Sequence, residues 1–478
     1  MANVNVKKNM NSKLGIVIPP NNHKGVVRDY AGGLGFEPLS TYVLPPLDML
    51  QLAAIASQEW QVQIHDFSWH QGQQQIAISE VLKDSPSVVL IQASFPSLSS
   101  DLEFARELQK QGIRTLIRLL HFPTGLLKKI NSQPTDEWLV GECETTLLNI
   151  LKGEDQPGLI RNNQDNGKRP PLVNNLDDLP FPARELVLHL PYEYPKLGRC
   201  ITLQASRGCP HSCGYYCPYP LVQGKGWRKR SVYSLINELK YIVHNKIAEK
   251  IFFRDPVFTL GVKRTETLCK EILKHNIQFE WWCETRADLL PENTVKLMAQ
   301  AGCIGINIGV ETGDETLRLN RLKSHVDNQC IQQTCTYLHQ HGIDIALLMM
   351  IGWPGETRLS VFKTAELVVQ CNPRSVGLVF PTAYFETSFR EDMETRGWLS
   401  GNEFPTDGFN PQIQSPTMTF EEMKEGKSLL EAVINAVCIE ATELKITQSL
   451  ESLNRWVNQN KNLKKINRLK INENCILS

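Results

Sequence analysis

The chain lacks a charge imbalance, a long apolar run and a recognisable export signal, and each absence excludes something. Its 51 basic and 51 acidic side chains cancel, which removes the electrostatic footprint of a nucleic-acid or anionic-lipid binder. A small-molecule partner is expected instead, with no nucleic acid and no membrane. The longest apolar run, Ile345 to Trp353, is about half of what a bilayer span requires and reads as a buried strand. Lys7 and Lys8 are not followed by an apolar stretch, so no secretory leader is expected. Thirteen cysteines, an odd number spread over 478 residues, do not make the dense framework of a secreted disulfide scaffold. The expected setting is a reducing cytoplasm, where clustered thiols serve metal or redox chemistry.

What is present is α/β alternation, twice. Residues 14–150 alternate apolar runs (LGIVIPP, VQIHDF, SVVLIQASFP, RTLIRLLHFP) with amphipathic stretches such as SDLEFARELQKQG. Continuous Val/Ile/Leu runs between helical patterns predict parallel strands buried on both faces, hence a doubly wound α/β domain over 1–150. Residues 151–195, rich in Pro, Asn, Asp and Gly, read as a linker wrapping the surface. A second alternation from Arg199 predicts six β/α repeats, a partial (β/α)6 barrel over 196–389 with its site at the C-terminal strand ends. Of the neighbours Trp281 and Trp282, one is expected to face the barrel and the other its helices. Residues 390–478 read as a mostly helical region ending in a Lys/Asn-rich, solvated tail.

The chemistry-bearing stretch is SRGCPHSCGYYCPYP, directly after the first strand of the second alternation. It sets Cys209, Cys213 and Cys217 within nine residues, with Gly208 and Gly214 allowing sharp turns. Thiolates at this spacing suit a soft metal or an iron–sulfur cluster. Structural zinc would ask for a fourth ligand, and no cysteine or histidine pair stands at a matching distance. Ordinary buried thiols would scatter, as Cys269, Cys303, Cys335 and Cys371 do. Three ligands for a four-iron cube leave one iron open.

This loop resembles that of the radical S-adenosylmethionine (SAM) superfamily, whose usual spacing is C-x3-C-x2-C; here it is C-x3-C-x3-C. RDPVFT, WCETRADLL, AGCIGINIGVETGDETL and LLMMIGWPGET are similar to the matching strand ends of radical SAM proteins that carry an N-terminal cobalamin-binding-like domain. The resemblance implies a [4Fe–4S] cluster on Cys209, Cys213 and Cys217, with SAM on its open iron. It implies Tyr216, rather than Tyr215, beside the adenine, Arg286 on the SAM carboxylate, and Asp255 on the amine. Glu284 or Glu311 would serve the ribose or the substrate, and Gly352 a close backbone approach to adenine. An electron donor of the flavodoxin or ferredoxin type, or a partner reductase, is implied as well.

Residues 14–150 resemble the cobalamin-binding domain of radical SAM methyltransferases, in LPPLDMLQLAA, the ASFPS strand end and GECETTLLNIL. Yet D-x-H-x-x-G is absent, and Arg118, Leu119, Leu120 and His121 stand where that family places glycines before a histidine-proline. Cobalamin is therefore disfavoured. The degenerate domain and the unusual cysteine spacing together resemble the radical SAM dehydratases of aminoglycoside deoxygenation. Radical dehydration of a sugar-like substrate is accordingly preferred, with cobalamin-dependent C-methylation as the alternative. An inactive iron–sulfur scaffold is the reading from another class.

Overall fold

The computed structural model describes residues 12–21, 28, 43–130, 132–322, 326–400 and 408–459; Lys7, Lys8 and the tail beyond 459 lie outside the described residues. The first alternation forms a six-stranded sheet: β1 (Lys13–Ile18), β2 (Gln61–Asp66), β3 (Val88–Gln92), β4 (Arg114–Leu119), β5 (Glu137–Val140) and β6 (Leu159–Ile160). Its order is β2-β1-β3-β4-β5-β6. All pairs are parallel except β5 with β6. The period of two explains why both faces are apolar. Leu14, Ile16 and Ile18 of β1 enter a core with the helix Leu47–Ala56, while Val17 enters one with Leu98–Lys110.

The expected linker is only partly a linker. Leu159 and Ile160 add an antiparallel edge to the first sheet, and later residues are drawn inward by polar partners. Arg184 is buried, donating to Glu238 Oε1 at 2.6 Å and to the carbonyl of Thr202 at 2.9 Å. Tyr192 donates to Asp66 at 2.7 Å. Composition alone suggested surface because the few residues that bury are scattered among polar ones.

The second sheet contains β7 (Ile201–Leu203), β8 (Lys250–Phe253), β9 (Glu280–Thr285), β10 (Cys303–Glu311), β11 (Asp344–Met350) and β12 (Ser375–Val379). Every neighbour is parallel, in chain order from β7 to β12. It is an open barrel with helices outside, as predicted. Its floor is aromatic. Trp282 points inward, filling the space over Gly305, where a Cβ would meet the indole at 2.0 Å. Tyr194, from the hairpin Glu193–Tyr194/Gly198–Arg199, stacks on Phe252 with ring centroids 4.5 Å apart. Asn307 Oδ1 accepts from both Trp282 Nε1 (2.8 Å) and the Tyr194 hydroxyl (3.1 Å). Trp281 faces the helices, packed on Phe253 and Phe258.

The helix Phe420–Cys438 packs against Arg358–Cys371 and β12, and Glu443–Gln459 packs against it in turn. Among the described residues no helix is long and apolar enough to cross a membrane.

Candidate functional site

The cysteine loop leaves the top of the barrel through a tight neck. Ser206 and Arg207 pair antiparallel with Lys229 and Arg228, and the N–H of Cys209 donates to the Gly224 carbonyl at 3.2 Å. Gly208 has φ +83, and a Cβ there would lie 2.0 Å from the Gly226 carbonyl oxygen. This position demands glycine for both conformation and space. Between the second and third cysteines the extra residue makes a helical turn, with Cys217 N–H donating to the Cys213 carbonyl at 3.0 Å. A spacing of four on such a turn puts the two side chains on one side. The Cys217 thiol is pushed well above its ordinary pKa by its bond to Cys213, then by burial, with Cys209 adding to the effect. Neighbouring thiols that hold each other protonated in this way become thiolates together when a cation shares them; among the described residues no three ligands already stand together around one metal position, so a bound cluster would have to draw Cys209 in to the Cys213–Cys217 pair. A [4Fe–4S] cluster fits this donor set.

The two tyrosines part company. Tyr215 donates to Asp392 Oδ2 at 2.8 Å and meets Phe389 edge-on at 5.5 Å, so it anchors the loop to the helix Ser388–Thr395. Tyr216 turns to the barrel mouth: its hydroxyl is bonded to Glu311, and its ring meets Trp353 at 5.0 Å. Burial, then Glu311, raise its pKa well above the ordinary value. Glu311 ends β10 at a register shift with φ +72, a left-handed conformation that costs a non-glycine residue about 1–3 kcal/mol. The bulge aims its carboxylate at the cysteine loop's tyrosine.

Three expected ligand residues are engaged differently from the expectation. Asp255 is fully buried, with Oδ2 accepting from Ala205 N–H (3.0 Å) and Oδ1 from the Ser206 hydroxyl (2.6 Å). It clamps the start of the cysteine loop and presents no open face for an amine. Arg286 spends its fork on Asp288, with Nε and Nη2 each 2.9 Å from a carboxylate oxygen. A SAM carboxylate would have to displace Asp288 to be bridged the same way, although the guanidinium does lie in the field of Cys213 and Cys209. Gly352 has φ +96, but a Cβ would meet Met423 at 3.1 Å and Phe380 at 3.3 Å. Its close approach is to the helix Phe420–Cys438 and to Phe380, just after β12. Its N–H and that of Trp353 point at the buried Glu356 carboxylate, at 2.5 and 3.3 Å.

Glu284 stays half-buried inside the barrel, ion-paired with Arg254 at 2.9 Å and accepting from Asn307 Nδ2 at 3.0 Å. The inward positions above the floor, Gly309, Leu348, Met350, Gly377 and Val379, are likewise only partly buried, in contrast to the buried aromatic floor. Lys196, pushed down to about 8 by burial against the pull of Glu284, and Arg254 were not picked out in the sequence. Only the inward register of β8 could have flagged Arg254.

The first sheet reverses order at β1, which puts its ligand crevice beyond the carboxyl ends of β1 and β3. That crevice is occupied by side chains. Arg28 donates to Asp101 Oδ1 (2.7 Å), Asn21 Oδ1 (2.8 Å), Ser97 Oγ (3.0 Å) and the Pro19 carbonyl (3.1 Å). Asp101 also accepts from Ser94 N–H and from Ser97 Oγ. Arg118 is buried across the neighbouring strand ends, donating to the Gly141 carbonyl at 2.6 Å, and Leu119 is in the core. These residues do not fit a nucleotide tail inserted at the switch point. His121, at the same end, lies 3.2 Å from Glu386 of the segment after β12, and Phe385 packs on Phe95, so the ends of the two sheets meet.

Residues 203–368 match the model of the radical SAM superfamily. An uncharacterized methyltransferase of Pyrococcus horikoshii is 26% identical over 370 residues, 74% of this chain and 76% of the relative. The tryptophan 2-C-methyltransferase of Streptomyces laurentii is 23% identical over 180 residues, 34% of this chain and 29% of that one. Two solved structures share the fold. TsrM of Kitasatospora setae, a radical SAM methyltransferase with cobalamin and a [4Fe–4S] cluster bound, has TM-score 0.61 at 16% identity, covering 80% of this chain and 75% of that one. The cobalamin-dependent radical SAM enzyme OxsB, with aqua-cobalamin and SAM bound, has TM-score 0.65 at 13% identity, covering 92% and 70%.

Proposed function

Because residues 203–368 make this chain a radical SAM enzyme, we propose that it transfers a methyl group from SAM to a carbon of a small organic substrate held inside the barrel. One observation carries the reading: the similarity to a methyltransferase that spans about three quarters of both chains. The relatives support methylation over the dehydration expected from the sequence. Cys209, Cys213 and Cys217 would hold a [4Fe–4S] cluster, which when bound would pass electrons from a flavodoxin- or ferredoxin-type donor: one SAM would leave as methionine and 5′-deoxyadenosine after taking a hydrogen from the substrate carbon, and a second SAM would give up its methyl group and leave as S-adenosylhomocysteine, with two electrons consumed per methyl group.

The chain's own residues then have separable tasks. Cys209, Cys213 and Cys217 hold the irons, and Asp255 fixes the strand end from which the loop departs. Tyr216, held by Glu311, makes a flat wall between the cysteines and Trp353, suited to an adenine face. Trp282, Tyr194 and Phe252 close the barrel below, and excluding water there protects a radical from quenching. Glu284, Arg254 and Asn307 offer the substrate a charged and polar edge.

The test uses anaerobically reconstituted protein, SAM carrying a labelled methyl group, and a small-molecule cell extract, with and without hydroxocobalamin. Methyl transfer gives S-adenosylhomocysteine and label in a product. Production of 5′-deoxyadenosine with no S-adenosylhomocysteine and no labelled product, in either arm, would overturn the proposal. The filled crevice of the first sheet leads us to expect that equilibrium dialysis retains no tightly bound cobalamin; stoichiometric retention would refute that part alone.

A further inference from the structure

The neck of the cysteine loop carries an electrostatic problem that the barrel does not solve for itself. Arg207 and Arg228 stand directly opposite each other on an antiparallel ladder, the placement in which like charges repel. Both are shielded from water, with side chains 6% and 10% exposed, so solvent screens them little. The neutralising charges come from the other sheet. Just beyond β5, Glu142 accepts from Arg228 through both oxygens, at 2.7 and 2.6 Å, and lies 3.4 Å from Arg207. Glu144 accepts from Arg207 at 2.6 Å. Two cations thus meet two anions. Arg228 also donates to the Gln223 carbonyl at 2.7 Å, and the Gln223 side-chain oxygen receives the N–H of Gly208 at 3.2 Å. A continuous line of contacts runs from Glu142 to the residue before Cys209.

We propose that Glu142 and Glu144 are positioning residues for the iron–sulfur loop: the N-terminal sheet keeps the loop's neck closed by neutralising the facing pair Arg207 and Arg228. This gives the sheet a task independent of any ligand it binds. The proposal rests on the reading that the three cysteines hold a cluster.

The experiment measures iron per chain after anaerobic reconstitution, the EPR signal of the reduced cluster with and without SAM, and circular dichroism, on the full chain. Wild type should take up about four irons, and Glu142→Gln about one or fewer, with its helix and strand signal intact. Adding Arg228→Gln to Glu142→Gln removes one of the two facing cations, and should bring iron and the SAM-induced EPR change back towards wild type. A double variant worse than Glu142→Gln alone would overturn the proposal, because lost hydrogen bonds rather than repulsion would then be the cause. Full iron uptake by Glu142→Gln would overturn it too. If Glu142→Gln does not fold, Glu144→Gln with and without Arg207→Gln carries the same comparison. A wild-type chain that takes up no iron would defeat the cluster reading itself, a result distinct from either variant outcome.

Discussion

Gly208→Ala is the sharpest perturbation of the site, since its cost can be worked from geometry. The residue sits at φ +83, and the added Cβ would lie 2.0 Å from the Gly226 carbonyl oxygen and 2.9 Å from that of Gly224. Left-handed backbone costs a residue with a side chain about 1–2 kcal/mol. Overpacking against atoms that cannot rotate away adds about 1–3 kcal/mol. The total, about 2–5 kcal/mol, falls on closure of the loop, because the atoms struck belong to the loop's own return limb. At about 1.4 kcal/mol per factor of ten, closed loops become roughly 30-fold to several thousand-fold rarer while the barrel persists. Anaerobic reconstitution should therefore leave the variant nearly iron-free, with unchanged circular dichroism. Gly226→Ala is the control two steps away in the same neck, since nothing lies within 4 Å of its Cβ, and it should load normally. A Gly208→Ala protein with a full cluster and wild-type SAM cleavage would refute the reasoning.

Other expectations follow from single contacts. Asp288→Asn loosens the fork on Arg286; if that fork meets the SAM carboxylate, SAM should bind about tenfold tighter, the low end for a charge-assisted hydrogen bond, and unchanged affinity by calorimetry would place the carboxylate elsewhere. Burial raises the Glu356 carboxyl to about 7, so the native state keeps a proton that the unfolded chain releases near 4.5. Its contribution to stability is full below pH 4.5 and lost as pH rises through 7, about 3 kcal/mol in all; denaturant midpoints of wild type and Glu356→Gln should diverge over that window, and parallel curves would exclude it. Tyr216→Phe should weaken SAM binding by severing the contact with Glu311, whereas Tyr215→Phe should lower the melting temperature through the lost Asp392 bond and leave SAM affinity alone. The reverse pattern would exchange their assignments.

By itself the sequence determined whatever is local. Two α/β alternations, parallel buried strands and the open barrel follow from periodicity over windows of ten to fifteen residues, and the three thiols lie within nine residues. Trp281 and Trp282 face opposite ways because a strand has no other choice. Tertiary structure decided what depends on partners distant along the chain. Asp255 is a clamp because Ser206, 49 residues away, reaches it first, and Gly352 is tight because Met423 of a helix beyond the barrel lies against it. The first sheet's crevice is filled because Arg28 meets Asp101 across 73 residues. Glu142 and Arg228 are 86 residues apart on different sheets. Such pairings have no period and no spacing, since they are fixed by where two folded surfaces meet, and that is a property of the packed whole.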